Sequence, residues 1–183
     1  MASSNTCTGG FVVQNSSGTR FVVTAAHCGS LNSTWKSGSK TYGTMTSRGT
    51  FPSYDMALIG GQTYGTMIYM GGSAGTGTAT GAPANPAVGT SYCVSGGASY
   101  ENCSKQVTSL SASFCDTSGC TTALAAYTGG SSTQNGDSGG ALVLKSGGKV
   151  YPRGIHIARS GSTMYAEKWN LISVHLGVSG VTT

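Results

Sequence analysis

The sequence predicts an all-β protein, and two features of its composition lead to that prediction. Charged residues make up only 8% of the 183 residues, whereas glycine occurs at 30 positions. Few charges argue against long helices with one charged face, and many glycines indicate frequent turns. Short apolar runs bounded by glycine, serine or asparagine predict the strands themselves. The length suits one domain with one core, or two small barrels that share a core.

The first half of the chain contains a predicted hairpin and two further strands. Residues 10–14 and 20–24 are β-rich runs joined by the polar turn 15–19, and this arrangement predicts the hairpin. A weak strand over 40–45 and a stronger one that begins at Asp55 complete this half.

The second half is predicted to start after a crossover. Residues 71–89 are small residues, glycine and proline with little alternation, and they predict the connection between the halves, with a flexible linker as the alternative. The final segment, 169–176, spaces its apolar residues for either a short helix or a strand. Six strands are predicted between these segments: 91–94, 105–113, 120–127, 141–144, 150–158 and 163–166.

Charge and cysteine content exclude several classes of protein. The net charge of +5 arises because acids are few, and the basic residues are scattered, so no nucleic-acid partner is expected. No apolar run approaches the roughly 18 residues of a membrane helix, so no membrane partner is expected. Six cysteines without close Cys/His clusters predict disulfides, an oxidising compartment and no metal site. Residues 1–4 lack the features of a signal peptide.

A predicted turn displays Ser138 as a nucleophile. Glycine occupies positions 136, 139 and 140, and the apolar run 141–144 follows directly. Because glycine permits tight turns, the segment predicts that the Ser138 hydroxyl lies at the start of a buried strand. A serine hydroxyl needs an adjacent base, a third group that orients the base, and backbone donors for the developing oxyanion.

The candidates for those roles are few, because the chain has only three histidines and five acidic residues. His27 ends a β-branched run and precedes Cys28, a cysteine that could anchor it. Asp55 is the single acid at the start of the apolar run 56–59. His175 is interpreted as a surface or partly buried histidine near the end of the chain.

Three segments resemble, in order, the signature segments of the chymotrypsin-like serine proteases. They are Thr-Ala-Ala-His-Cys at 24–28, Asp-Met-Ala-Leu-Ile at 55–59 and Gly-Asp-Ser-Gly-Gly at 136–140. The resemblance runs from about Cys7 to the C-terminus, and the chain is similar to the secreted bacterial branch that includes the streptogrisins and α-lytic protease. Three ordered motifs are far more specific than any one of them.

The resemblance implies a fold of two six-stranded antiparallel β-barrels with the active site between them. Residues 1–183 would form a single peptidase domain, with an N-terminal half at about 1–75, a crossover at 76–90 and a C-terminal half at 91–183. Proximity and the resemblance together favour three disulfides, Cys7 with Cys28, Cys93 with Cys103, and Cys115 with Cys120.

The resemblance also implies a secreted serine endopeptidase without a cofactor. Its partners would be protein or peptide substrates and proteinaceous inhibitors, and we expect a monomer. Ser138 would be the nucleophile, His27 the general base and then acid, and Asp55 the carboxylate that orients His27. The backbone N–H groups of Gly136 and Ser138 would form the oxyanion hole.

The neighbouring Asp137 is interpreted as a structural residue. In relatives the matching acid has a cationic partner, which is a freed N-terminus or an internal arginine. This chain has Val94 where that arginine would stand, so the sequence leaves the partner of Asp137 open.

The specificity pocket is expected to be lined by Ser132, Thr133 and the strand that contains His156, Ile157 and Arg159. In glutamate-specific bacterial relatives a Gly-Ile-His segment places its histidine in this pocket, with a threonine five residues before the nucleophile. His156 and Thr133 occupy those places, which would suit an acidic side chain before the cut. A packed, structural His156 with an apolar or small-residue pocket is the equal alternative.

Two wider alternatives stay open. An esterase or amidase would use the same three catalytic groups, and a catalytically silent protease fold would serve as a binding module.

Overall fold

The structure, a computed structural model, describes residues 6–183, so the prediction for residues 1–4 lies outside the described residues. In chain order the elements are β1 (Val12–Gln14), β2 (Arg20–Thr24), β3 (Thr34–Ser37), β4 (Lys40–Arg48), β5 (Ala57–Gly60), β6 (Met67–Met70), β7 (Thr76–Ala79), β8 (Ser91–Gly96), β9 (Tyr100–Asp116), β10 (Gly119–Thr128), β11 (Ala141–Ser146), β12 (Lys149–Ser160), β13 (Thr163–Lys168), α1 (Trp169–Leu176) and β14 (Ser179–Gly180). A single 3-10 turn, Ala26–Cys28, follows β2.

These strands form two antiparallel sheets of six strands each. The first has the order β14-β1-β2-β5-β4-β3, and the second closes into a barrel with the order β10-β13-β12-β11-β8-β9. Strands β6 and β7 pair separately as a hairpin between the two sheets in sequence. The predicted fold class, all-β with two six-stranded antiparallel β-barrels and a short C-terminal helix, is confirmed as two sheets of six strands, of which the second is a closed barrel.

Four strands were not predicted, namely β3, β6, β7 and the two-residue β14, because their sequences lack a clear apolar alternation. Strand β3 is mostly exposed, and β6 alternates exposed and buried side chains over only four residues. Strand β7 is rich in threonine and glycine and occupies the first residues of the predicted crossover, 76–90. Residues 81–90 carry the chain to β8 without a strand.

Buried apolar side chains from both halves pack into one cluster, which includes Phe11, Val23, Leu58, Ile155 and Ile172. A second cluster fills the interior of the closed barrel, with Tyr92, Val107, Tyr127, Leu142 and Met164 among its members. Because the first cluster spans both sheets, the two halves share a core and cannot separate without exposing it.

The helix returns the chain from the second half to the first. The Trp169 ring lies 6.0 Å from the Phe11 ring, and the His175 ring lies 3.7 Å from the Tyr54 ring. The helix ends at Gly177, whose left-handed backbone (φ +63°) lets its N–H donate to the Ser173 carbonyl. Strand β14 then pairs with β1, which fixes the C-terminal segment on the first sheet. No helix in residues 6–183 combines the length and apolar character needed to cross a membrane.

Three disulfides are present, with the pairing that the resemblance implied. Cys7–Cys28 joins the segment before β1 to the 3-10 turn, Cys93–Cys103 joins β8 to β9, and Cys115–Cys120 closes the tip of the β9–β10 hairpin.

Candidate active site

His27 and Asp55 meet because the strands that carry them are neighbours. Strand β2 precedes the turn of His27 and pairs with β5, which directly follows Asp55 and Met56. The His27 Nδ1 atom lies 2.6 Å from Asp55 Oδ2, and the His27 backbone N–H donates to Asp55 Oδ1 at 2.8 Å. Two contacts to one carboxylate fix both the backbone and the ring of the histidine. The ring is 34% exposed and Asp55 is 6% exposed, so the imidazole is open to a ligand and the carboxylate is not.

Ser138 lies on a tight turn that leads into β11. Gly136 and Gly139 have left-handed backbones, with φ +106° and +88°. A Cβ atom at position 139 would lie 2.2 Å from the Thr8 carbonyl oxygen, so this position requires glycine. The Gly139 N–H donates to the His156 carbonyl at 2.8 Å, which joins the turn to β12.

Thr8 clamps this turn from the opposite side. Its backbone N–H donates to the Ser138 carbonyl at 2.7 Å, and its hydroxyl donates to the Gly136 carbonyl at 2.6 Å. The same hydroxyl accepts the Gly97 N–H at 2.8 Å. Because Cys7 is bonded to Cys28, the disulfide holds the clamp beside the turn of His27.

Two backbone donors of the turn are unoccupied. Within residues 6–183, the N–H groups of Gly136 and Ser138 have no intramolecular hydrogen-bond acceptor. The N–H of Asp137, which lies between them, donates to the Gln134 carbonyl. Donors left free on either side of a hydrogen-bonded residue are available to an oxygen atom of a ligand.

The carboxylate of Asp137 is buried and satisfied by backbone donors. Oδ1 accepts the N–H groups of Ala98 and Ser99 at 2.9 Å, and Oδ2 accepts the Gln134 N–H at 2.8 Å. Burial alone would raise the pKa of Asp137, but hydrogen bonds from Ser99, Gln134 and Ala98 outweigh it and lower the pKa. Among residues 6–183, the hydrogen-bond partners of Asp137 are therefore neutral donors.

His27, Asp55 and Ser138 line one cavity of about 410 Å³. The Ser138 Oγ atom donates to the Ile157 carbonyl at 3.5 Å, a long hydrogen bond. The tip of the β9–β10 hairpin forms a further wall, and the Thr121 hydroxyl docks it on the Pro52 carbonyl at 2.7 Å.

Most of the predicted pocket residues line the same cavity, namely Thr133, His156, Ile157 and Arg159. Thr133 is buried, and its hydroxyl has no hydrogen-bond partner among the described residues. Arg159 is exposed at the rim. Ser132 differs from the prediction: it is exposed and lines a separate shallow groove, because neighbouring side chains in an extended segment point in opposite directions.

His156 is buried beneath the cavity. Its Nδ1 atom lies 2.6 Å from the Tyr127 hydroxyl. Burial lowers the pKa of His156 to about 4, and Lys105 and His27 act in the same direction, whereas Asp137 and a hydrogen bond to the Tyr165 backbone raise it. The ring is therefore neutral at neutral pH.

A second buried carboxyl lies against Asp55. Glu167 on β13 is fully buried, and its Oε1 atom accepts the Asp55 backbone N–H at 2.7 Å. Its Oε2 atom has no hydrogen-bond partner among the described residues. Burial raises the pKa of Glu167 to about 7, and the nearby charge of Asp55 acts in the same direction.

Sequence reasoning missed four residues of this site, which are Thr8, Lys105, Tyr127 and Glu167. Each acts on residues far away in the chain, so no local motif marks it. The one available signal was scarcity, since Glu167 is one of only five acidic residues in the chain.

Thr8→Val tests the clamp. Valine keeps the shape but removes the hydroxyl that bonds Gly136 and Gly97, so we expect a loss of about 1–3 kcal/mol in the free energy of unfolding. Urea unfolding with the disulfides intact measures this loss. Thr8→Ser, which keeps the hydroxyl, is the matched control. Equal losses of stability in both variants would show that the Thr8 hydroxyl does not stabilise the turn.

Glu167→Gln tests the buried carboxyl. An acid whose pKa rises to about 7 on folding destabilises the folded state increasingly from about pH 4.5, where the unfolded group ionises, up to pH 7. Relative to the wild type, the variant should therefore gain about 2–3 kcal/mol between pH 4.5 and pH 8. Any change in the free energy of unfolding that the amide causes equally at every pH cancels when the two pH values are compared.

The matched control for this slope is Glu101→Gln, which removes a carboxyl from a surface pair with Lys145. A Glu167→Gln slope indistinguishable from the slope of this control would contradict the shifted ionisation of Glu167.

Comparison with known proteins identifies the family. The trypsin family model matches residues 1–168, and no curated protein matches the chain. Among solved structures, Thermobifida fusca protease A is 23% identical, with 97% of this chain and 92% of that chain covered and a TM-score of 0.77. Cellulomonas bogoriensis chymotrypsin is 26% identical, with 97% and 92% covered and a TM-score of 0.75.

A third similar structure is that of a glutamic acid-specific serine protease, described as using a histidine triad in substrate binding. It is 24% identical, with 96% of this chain and 93% of that chain covered and a TM-score of 0.78. The structural likenesses agree with the two-sheet fold, and the family model covers most of the chain. The chain therefore belongs to the trypsin family, the chymotrypsin-like serine endopeptidases that its motifs resemble.

Proposed function

We propose that the protein hydrolyses peptide bonds through a triad of Ser138, His27 and Asp55. Ser138 Oγ attacks the scissile carbonyl while His27 Nε2 takes its proton, and Asp55 holds the imidazole through Nδ1 and stabilises the imidazolium. His27 then donates the proton to the leaving amine, which leaves an acyl group on Ser138. Water, activated by His27, releases the acyl group and restores the enzyme.

The N–H groups of Gly136 and Ser138 are proposed to bind the oxyanion of the tetrahedral intermediate. Both lack an acceptor within residues 6–183, and the turn that carries them is held by Thr8 and Asp137. Donors that are already fixed need no reorganisation during the reaction, and one such donor contributes on the order of 10²–10³ in rate.

One observation carries this proposal: an oriented His27–Asp55 pair and a glycine-bounded serine turn line the same cavity, although they come from different sheets. The hydrogen bond from Ser138 Oγ to the Ile157 carbonyl is long, so little energy opposes rotation of the hydroxyl towards His27.

We further propose a preference for an acidic residue, with glutamate favoured, before the cut. The buried Thr133 hydroxyl has no partner among the described residues, and His156 and Arg159 line the same cavity. An unpaired hydroxyl in a buried pocket favours a ligand that supplies an acceptor, because leaving the hydroxyl unpaired is costly. The glutamic acid-specific neighbour supports this preference at the level of the fold.

The same strand supports a second candidate, a pocket for apolar or small side chains. Ile157 and Ala158 also line the cavity, and a buried neutral His156 could serve packing alone. The unpartnered Thr133 hydroxyl favours the acidic pocket over this alternative.

We also propose that the protein is secreted and acts on protein or peptide substrates. Its six cysteines all form disulfides, which persist in oxidising compartments.

A peptide library that varies the residue before the cut, assayed at pH 8, tests both proposals. We expect cleavage after glutamate, with kcat/KM reduced at least 10³-fold in Ser138→Ala. Thr133→Val, which keeps the shape without the hydroxyl, should reduce cleavage after glutamate about 10- to 100-fold.

Thr63→Val, a threonine outside this cavity, is the matched control for Thr133→Val. Cleavage after apolar residues that Thr133→Val leaves unchanged would support the second candidate. The absence of any Ser138-dependent cleavage would support the binding-module alternative.

A further inference from the structure

A lysine is buried behind the proposed specificity pocket. Lys105 on β9 is 0% exposed, and its ammonium donates to the carbonyl oxygen of Gly129 at 3.0 Å and to that of Ser131. No carboxylate within residues 6–183 forms a salt bridge with it. A buried charge without an ion pair is costly, so a sequence that retains one requires a physical reason.

The chain is folded tightly around this ammonium. Gly130 has a left-handed backbone (φ +60°), and a Cβ atom there would lie 2.1 Å from the Cys103 carbonyl oxygen and 3.1 Å from Lys105 Nζ. The residues that hold the ammonium, 129–131, lead directly to Thr133 in the cavity wall. The positive charge is therefore held by the segment that leads into this wall.

Two ionisable groups couple to the ammonium. The charge of Asp137 raises the pKa of Lys105, against the larger lowering by burial, and Lys105 in turn lowers the pKa of His156. His156 lines the cavity, and the charge of Lys105 makes its protonation less favourable.

Tyr127 is the other group behind His156. It is fully buried, and burial together with the nearby charge of Asp137 raises its pKa well above the ordinary value, so the phenol keeps its proton. Within residues 6–183 its hydroxyl makes one hydrogen bond, to His156 Nδ1 at 2.6 Å. If the phenol donates, its proton is satisfied, and the neutral imidazole carries its own proton on Nε2.

The chain has no further histidines to support His156. Of its three, His27 contacts Asp55 and His175 stacks on Tyr54. A triad of histidines, as named for the glutamic acid-specific neighbour, has no counterpart around His156.

We propose that Lys105 and Tyr127 are specificity-determining positioning residues: Lys105 supplies the fixed positive charge of the pocket, and Tyr127 sets His156 as a neutral Nε2–H donor. Both act on a substrate carboxylate through other groups and touch no reacting atom. The inference rests on the proposed acid preference. It explains this preference by the charge of Lys105 and the tautomer of His156, in place of further histidines.

The first test measures the tautomer of His156 in the wild-type protein. With ¹⁵N-labelled histidine, only three side chains contribute signals, and His156→Gln identifies the one that matters. We expect Nδ1 unprotonated and Nε2 protonated from pH 5 to pH 9, and a mixture of tautomers in Tyr127→Phe. A protonated Nδ1 at neutral pH, or a titration midpoint near 6.5, would overturn the role of Tyr127.

The second test uses two peptides that differ only in glutamate or glutamine before the cut. In Lys105→Met, we expect the ratio of their kcat/KM values to fall at least 10-fold through a raised KM for the glutamate peptide, with the glutamine peptide changed less than about 3-fold. Lys145→Met, at a surface lysine, is the matched control and should leave the ratio unchanged.

The outcomes separate this inference from the proposed function. A folded Lys105→Met variant that keeps the wild-type ratio would overturn the role of Lys105 and leave the acid preference intact. A wild-type ratio near one would overturn the acid preference and the role of Lys105 together, while the tautomer of His156 would still decide the role of Tyr127. If Lys105→Met fails to fold, Lys105→Gln replaces it in the same comparison, because its neutral amide can still donate to the Gly129 or Ser131 carbonyl.

Discussion

The buried carboxylate of Asp137 is the interaction on which the turn of Ser138 depends. Its two oxygens accept N–H groups from Gln134 on one side and from Ala98 and Ser99 on the other, so one side chain ties the turn to the end of β8. These donors stabilise the charge, and within residues 6–183 no cation forms a salt bridge with it. The free N–H groups of Gly136 and Ser138 lie on either side of this fixed residue.

The active site also requires the two sheets to keep a fixed position relative to each other, because His27 and Asp55 belong to the first sheet and Ser138 to the second. Three features maintain it: the shared core, the helix α1 that packs on Phe11 and Tyr54, and strand β14 that pairs with β1. Glu167 adds a direct link, since this residue of the second sheet accepts the Asp55 N–H. The Glu167 carboxyl holds Asp55 in place but adds a second acid to a buried site. The stability of the fold therefore depends on whether Glu167 is protonated.

Local patterns in the sequence predicted the elements that local chemistry specifies. Glycine on both sides of Ser138, the β-branched run before His27 and the apolar run after Asp55 each act within a few residues. The strands β3, β6, β7 and β14 were not predicted, because their pairing depends on neighbouring strands rather than on their own alternation. Glu167 and Lys105 escaped for the same reason at longer range: the hydrogen bond between Asp55 and Glu167 spans 112 positions, and that between Lys105 and Ser131 spans 26. Ser132 was predicted to line the cavity but lines a separate groove. Its proximity to Thr133 in the sequence does not show which side of the segment its side chain faces.

The proposed mechanism requires Ser138 to be a nucleophile that His27 activates. Reaction with a fluorophosphonate probe, followed by mass spectrometry of the labelled peptide, tests this requirement. We expect one equivalent of label, located on Ser138 and lost in Ser138→Ala, with labelling slowed at least 10²-fold in His27→Ala, because the hydroxyl then lacks its base. Labelling of other serines at the same rate, or no labelling of the folded protein, would contradict it.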